Sequence, residues 1–152
     1  MQKVLIADRD PETREWYANL VRRMGHLPLM CEDAIAVLDV ATSNPDLDLV
    51  LMDVDLPGAW GEQLIQVVHG LAPMEGVPII VASAPRSQSE LMRLLANGAR
   101  RWFKRPPAAE ELMEAIQECL DRSGALSVFD VDEAVFVDMG ETDESWLLGA
   151  AA

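Results

Sequence analysis

Short, wholly apolar runs alternate with amphipathic segments along this chain, and no other feature restricts its fold so tightly. Residues 4–7, 49–52 and 77–82 carry no polar face, the pattern of a strand buried on both sides. Residues 26–31 and 101–104 read as two weaker strands. Between them lie helical stretches. Asp10 is placed to cap the first and Pro11 to begin it; Trp16, Tyr17, Leu20, Val21 and Met24 share one face, and Gly25 ends it. The spacing predicts further helices over 34–41 with Ile35 and Leu38 inward, 61–71 on Leu64, Ile65 and Val68, 89–97 on Leu91, Leu94 and Leu95, and 108–120 on Leu112, Ala115, Ile116 and Cys119. Strands and helices alternating at this interval imply an α/β fold, a five-stranded parallel sheet with helices on both faces.

The 152 residues suit one domain of 1–122 with an extension of 123–152, and half of them are hydrophobic, enough to bury a core. A net charge of -14 argues against nucleic acid, whose binding needs a basic surface. No apolar run approaches membrane-spanning length and the N-terminal run is too short for a signal peptide, so no membrane partner and a cytoplasmic location are expected. Cys31 and Cys119 have no metal-ligand spacing and read as reduced core thiols.

In folds of this kind ligands bind beyond the C-terminal strand ends. The residues there are Asp8, Arg9 and Asp10; Asp53 and Asp55; Ser83 and Ala84; and Arg105. Asp8 and Asp53 crowd one sheet edge, an arrangement that needs a cation, and Mg²⁺ suits an all-oxygen set. Asp10 reads first as a helix cap and only secondarily as a metal ligand. Asp53 stands at a strand end ahead of a Pro-Gly turn, where a carboxylate beside a metal could attack a phosphoryl group. Ser83 could donate to a phosphoryl oxygen.

These residues resemble the receiver domain of two-component response regulators, over residues 3 to about 121. The separations agree: 45 residues from Asp8 to Asp53, 30 from Asp53 to Ser83 and 52 from Asp53 to Arg105. The stretch Asp53-Val54-Asp55-Leu56-Pro57-Gly58 is among the more specific marks, and Ser83-Ala84 and Gly98-Ala99 agree with it. The resemblance implies a flavodoxin-like (βα)5 doubly wound sheet in three αβα layers and a non-enzymatic signalling role. It implies Asp53 as phospho-acceptor, Asp8 among the acids that organise Mg²⁺, the backbone carbonyl of Asp55 on the metal, Ser83 as switch hydroxyl and Trp102 as switch aromatic. It further implies a sensor histidine kinase or phosphotransfer protein upstream, and a downstream protein partner on the face formed by residues 89–120.

Two positions depart from the family. Arg9 stands where a second, metal-ligating acid is expected, and Arg105 where lysine is expected before Pro106. Lys104 cannot stand in, because one step along a strand reverses the side chain. Arg9 either pairs with Asp53 or Asp8, replacing metal charge, or turns to solvent while Asp10 supplies the missing carboxylate. The first arrangement makes a receiver that works without phosphate.

Arg100, Arg101, Lys104 and Arg105 form a basic knot, read either as a docking patch for an acidic partner or the chain's own tail, or as charges that guard an edge strand. Trp102 among them has the look of an interface anchor. Residues 123–152 hold seven acids and no base, with apolar Leu126, Val128, Phe129, Val131, Val135, Phe136, Val137, Trp146, Leu147 and Leu148. A strand over 134–137 and a helical turn over 145–148 are expected there. The extension packs on the receiver or on a second copy in a homodimer, begins a further domain, or orders on a partner. An aspartate phosphohydrolase is a weaker alternative, since Pro57 stands where that class wants Thr or Val. A flavin carrier of the same topology would need a phosphate-binding loop where Asp8-Arg9-Asp10-Pro11 stands.

Overall fold

The computed structural model describes residues 1–58 and 61–121. Five strands alternate with five helices: β1 Lys3–Ala7, α1 Pro11–Arg23, β2 Leu27–Cys31, α2 Ala34–Ser43, β3 Leu49–Met52, α3 Glu62–His69, β4 Ile79–Ser83, α4 Gln88–Ala96, β5 Arg101–Lys104 and α5 Ala109–Asp121. A single 3-10 turn, Ala72–Met74, follows α3. All strand pairs are parallel, in the order β2-β1-β3-β4-β5. This is the doubly wound, flavodoxin-like arrangement that the family resemblance implies.

Each strand feeds both faces, because successive side chains point to opposite sides. Leu5, Val50, Met52, Ile79, Val81 and Trp102 pack under α2, α3 and α4. Val4, Ile6, Leu49, Leu51, Ile80 and Phe103 pack under α1 and α5. Cys31 and Cys119 are free and buried, as expected of core thiols. Burial pushes them up, to about 12 and about 11, which leaves them protonated and unreactive. No helix among the described residues is long and apolar enough to cross a membrane.

Local signals start the helices where the sequence places them. Asp10 accepts from the backbone N–H of Thr13 at 3.2 Å, Asp33 from that of Ala36 at 2.8 Å, and Ser87 forms a reciprocal capping box with Glu90. The Asp33 cap also sets the phase of α2. It turns Ala34, Val37 and Ala41 to the core and leaves Ile35 70% exposed, against the expectation that Ile35 faces inward. Leu38 is partly buried against the core. Trp16 likewise lies at the margin of α1, while Tyr17 is fully covered. The expected strand over 134–137 and turn over 145–148 lie outside the described residues.

Gly98, between α4 and β5, has φ +123°, and a Cβ there would fall 2.6 Å from His69 Cγ. Gly98→Ala should lower the urea midpoint and cost about 1–3 kcal/mol from backbone strain and the clash. An unchanged midpoint would show that α3 and α4 shift apart freely.

Candidate functional site

Strand order reverses between β1 and β3: the chain leaves β1 toward β2 and leaves β3 toward β4. The crevice this creates lies beyond the strand C-termini, and Asp8 and Asp53 stand on its two sides. Ala7 pairs with Met52, and the Asp53 N–H donates to the Ala7 carbonyl at 3.0 Å. The buried polar or charged residues among those described are Asp8 at 0% exposure, Asp53 at 2% and Ser83 at 0%. All three follow or end an apolar strand, so the same runs that build the core carry these groups into it.

Arg105, the residue after β5, joins the two carboxylates. Its Nη1 donates to Asp53 Oδ2 at 3.0 Å, and its Nη2 lies 3.3 Å from Asp8 Oδ1. The same Nη2 donates to Thr13 Oγ1 at 3.2 Å. The planar fork thereby spans both acids and the first turn of α1. The peptide between Arg105 and Pro106 is cis.

The remaining carboxylate oxygens have different fates. Asp53 Oδ1 accepts from the Asp55 N–H at 2.9 Å, and Asp8 Oδ1 also accepts from the Asp10 N–H at 2.9 Å. Asp8 Oδ2 is buried with no hydrogen-bond partner. Burial raises the Asp8 carboxyl above its ordinary value; the Asp10 N–H and Arg105 pull it back, and the Asp53 charge raises it further.

The structure corrects one expectation and decides between two others. The Arg9 side chain is exposed and makes no ion pair with Asp8 or Asp53; Arg105 takes that place. Arg9 therefore turns to solvent, and the Asp10 carboxylate serves as the cap of α1. Its Oδ2 accepts from the Thr13 hydroxyl at 2.6 Å and from the Thr13 N–H, and the Thr13 hydroxyl bond holds its carboxyl below the usual range. The carboxylate of Asp55 is exposed and pairs with Arg86, which also reaches Glu90 at 3.2 Å. Lys104 is exposed and stays out of the pocket.

Trp102 is a second correction. It is only 4% exposed, so it is not an interface anchor here. Its Nε1–H donates to Ser83 Oγ at 2.8 Å, and that hydroxyl in turn donates to the Ala84 carbonyl at 3.0 Å. Ser83 lies on β4 and Trp102 on β5, where Val81 pairs with Trp102. The ring faces the α4 side of the sheet because the odd-even alternation of β5 sends Phe103 to the other face.

Sequence reading missed three participants. Thr13 follows the Asp10 cap by three residues, and that spacing predicts a contact with the cap but none with Arg105. Arg14 donates from Nη1 to the Asp8 carbonyl at 2.8 Å. Arg86 bridges the loops after β3 and β4, a contact 31 residues apart in sequence that no local pattern announces.

A resident Mg²⁺ ion does not fit this set. The position of the expected second acid is an exposed arginine, each carboxylate already faces a guanidinium, and among the described residues no group of three or more His, Cys, Asp or Glu could hold a metal.

A doubly wound parallel sheet with a carboxylate pocket at its switch point, a strand-end aspartate before a Pro-Gly turn and a buried Ser–Trp pair beside it define a CheY-like signalling domain. The family model of the response regulator receiver domain matches residues 4–117, and the chain belongs to that family. The phosphate regulon transcriptional regulatory protein PhoB of Klebsiella pneumoniae is 25% identical over 132 residues, which cover 87% of this chain and 57% of that protein. The chain thus spans little more than half the length of that relative. A CheY homolog of Campylobacter jejuni, a chemotaxis protein, is 24% identical over 119 residues, covering 78% of this chain and 92% of that one. Among solved structures, a CheY-like receiver domain protein from Methanospirillum hungatei gives a TM-score of 0.74 at 25% identity, covering 81% of this chain and 96% of the other. CheY4 of Vibrio cholerae gives 0.73 at 23% identity, covering 79% and 99%, a likeness of fold.

The raised Asp8 carboxyl has a stability consequence. The folded state takes this proton at a higher pH than the unfolded chain does, so ionised Asp8 opposes folding at neutral pH. That penalty fades as pH falls through the raised folded value toward 3.8. Asp8→Asn should therefore raise the urea midpoint at pH 7, with the gap to the parent closing toward pH 4. A lower midpoint at pH 7 would mean that the attraction of Arg105 outweighs burial.

Proposed function

We propose that this chain is a receiver that acts through protein–protein contacts of its α4-β5-α5 face, without a phosphoryl and Mg²⁺ cycle. The observation that carries the reading is the Arg105 guanidinium lying between Asp53 and Asp8. It supplies the positive charge that a metal would supply, and it occupies Asp53 Oδ2 with a charge-assisted bond that lowers the nucleophilicity of that oxygen. Asp53 is also 2% exposed, which closes it to an incoming phosphoryl donor. Freeing it means breaking a mostly buried ion pair, at a cost of a few kcal/mol.

The output state is correspondingly built in. The Trp102 indole is seated on the Ser83 hydroxyl and the ring lies inward, the arrangement this reading takes as its output state. The face that results offers Met92, 43% exposed on α4. A protein partner of this face is the reading's output. A phosphohydrolase reading loses support, because turnover needs a reachable nucleophile.

The second reading keeps Asp53 as phospho-acceptor, fed by a histidine kinase or phosphotransfer protein. Its support is the position of Asp53 at the end of β3, one strand from Ser83.

The two are separated by titrating Mg²⁺, and then acetyl phosphate with Mg²⁺, while following tryptophan fluorescence. No response is expected from the parent protein up to about 10 mM. The double variant Arg9→Asp with Arg105→Lys should gain a saturable Mg²⁺ response, with affinity at least about tenfold above the parent. A saturable response of the parent, or an acid-labile phosphate on Asp53, would overturn the first reading and establish the second.

A further inference from the structure

The β5 edge collects positive charge that the pocket does not use. β5 is the outermost strand, so one of its edges meets no other strand among the described residues. Arg100 precedes it and Lys104, exposed, ends it. Arg100 Nη1 is buried and has no hydrogen-bond partner. The guanidinium of Arg101 lies 4.7 Å over the ring of Phe103, on the α5 side. A buried guanidinium nitrogen without an acceptor is costly, and its natural complement is a carboxylate.

The chain itself brings carboxylates to this place. α5 runs against the strands, so its end returns to the edge of the sheet where β5 begins. The charges of Arg100 and Arg101 act on Cys119, two residues before α5 ends at Asp121. Residues 122–152, outside the described residues, then follow. From 123 onward they hold seven acids and no base, and their first apolar stretch alternates acid with hydrophobe: Phe129-Asp130-Val131-Asp132. Extended, such a stretch places its acids on one side and its apolar groups on the other. The seven residues between 121 and 129 can span up to about 25 Å, and β5 is only about 13 Å long, so reach is not limiting.

We propose that residues 126–137 of the same chain dock on the β5 edge, with Asp130 and Asp132 opposite Arg100 and Lys104. The segment does not join as a sixth parallel strand. The crossover from β1 to β2 goes over the α1 face in one direction, and that from β4 to β5 goes over the opposite face in the other. A parallel strand beyond β5, reached through α5 on the α1 face, would reverse the hand that such crossovers keep. The segment therefore runs antiparallel to β5 or lies across its end. This contact covers an exposed sheet edge and places an acidic strap beside the α4-β5-α5 face, where it competes with a partner for the same basic residues.

The test is amide hydrogen exchange of the full chain, read by mass spectrometry, together with its mass by sedimentation. Residues 126–137 of the parent should be protected at least about tenfold over an unstructured peptide, in a monomer, and equally at low and high protein concentration. Arg100→Glu with Lys104→Glu should abolish that protection while leaving exchange in β1 and β3 unchanged. Asp130→Asn with Asp132→Asn, which alters none of the described residues, should abolish it too. Adding Asp130→Lys and Asp132→Lys to the first variant should restore it. Three outcomes would overturn the proposal: an unprotected segment in the parent, protection indifferent to these charges, or protection that grows with concentration alongside a dimer, which would assign the segment to a second copy.

Discussion

Two aspartates brought to one sheet edge by neighbouring parallel strands cannot both stay buried and ionised without a cation between them. Here that cation belongs to the chain. The Arg105 fork reaches Asp53 at 3.0 Å and Asp8 at 3.3 Å, and Thr13 steadies it from α1. Two negative charges face one positive charge, and the imbalance falls on Asp8, whose second oxygen has no partner and whose carboxyl is pushed up by burial. The pocket is thus held by an internal ion pair beside a carboxyl that burial raises above its ordinary value. Strands β1, β3 and β5, together with α1, converge on it.

The same pocket explains the behaviour of β4 and β5. Ser83 ends β4 inside the protein, and its hydroxyl has two neighbours to satisfy it, the Ala84 carbonyl and the Trp102 indole. A buried hydroxyl and a buried indole N–H each need a partner, and pairing them removes both costs together. Trp102 is thereby fixed inward under α4. Two ion pairs hold the loop side of that helix: Arg86 with Asp55, and Arg93 with Glu62 at 2.8 Å. The Arg86 contact ties the start of α4 to Asp55, two residues beyond Asp53.

Much of this was legible in the sequence. The apolar runs located every strand to within two residues, and the cap at Asp10 located the start of α1. The spacing of Asp8, Asp53, Ser83 and Arg105 marked the strand ends that form the pocket and supported the family resemblance. What failed did so for nameable reasons. Ile35 was assigned inward by periodicity, but the Asp33 cap shifted the phase of α2 by one position, and one position on a helix is about 100°. Trp102 looked like a surface anchor because charges flank it, yet strand alternation turns neighbours to opposite sides. For Arg9 the sequence left both pairing and a turn to solvent open, because adjacency along a chain says little about which way a loop residue points.

The sequence by itself determined the parallel α/β fold, because a strand apolar on both faces has no other stable setting, and it determined that acids would gather at the sheet's C-terminal edge. Only the tertiary structure decided which arginine neutralises them. Arg9 and Arg105 are equally charged and both stand at strand ends. The choice between them depends on where β5 and the loop after it place a long side chain, and that is set by the packing of the sheet between its two helical layers. It likewise took the assembled fold to seat the Trp102 indole on the Ser83 hydroxyl, since the two are 19 residues apart in the chain and meet only because β4 and β5 lie side by side.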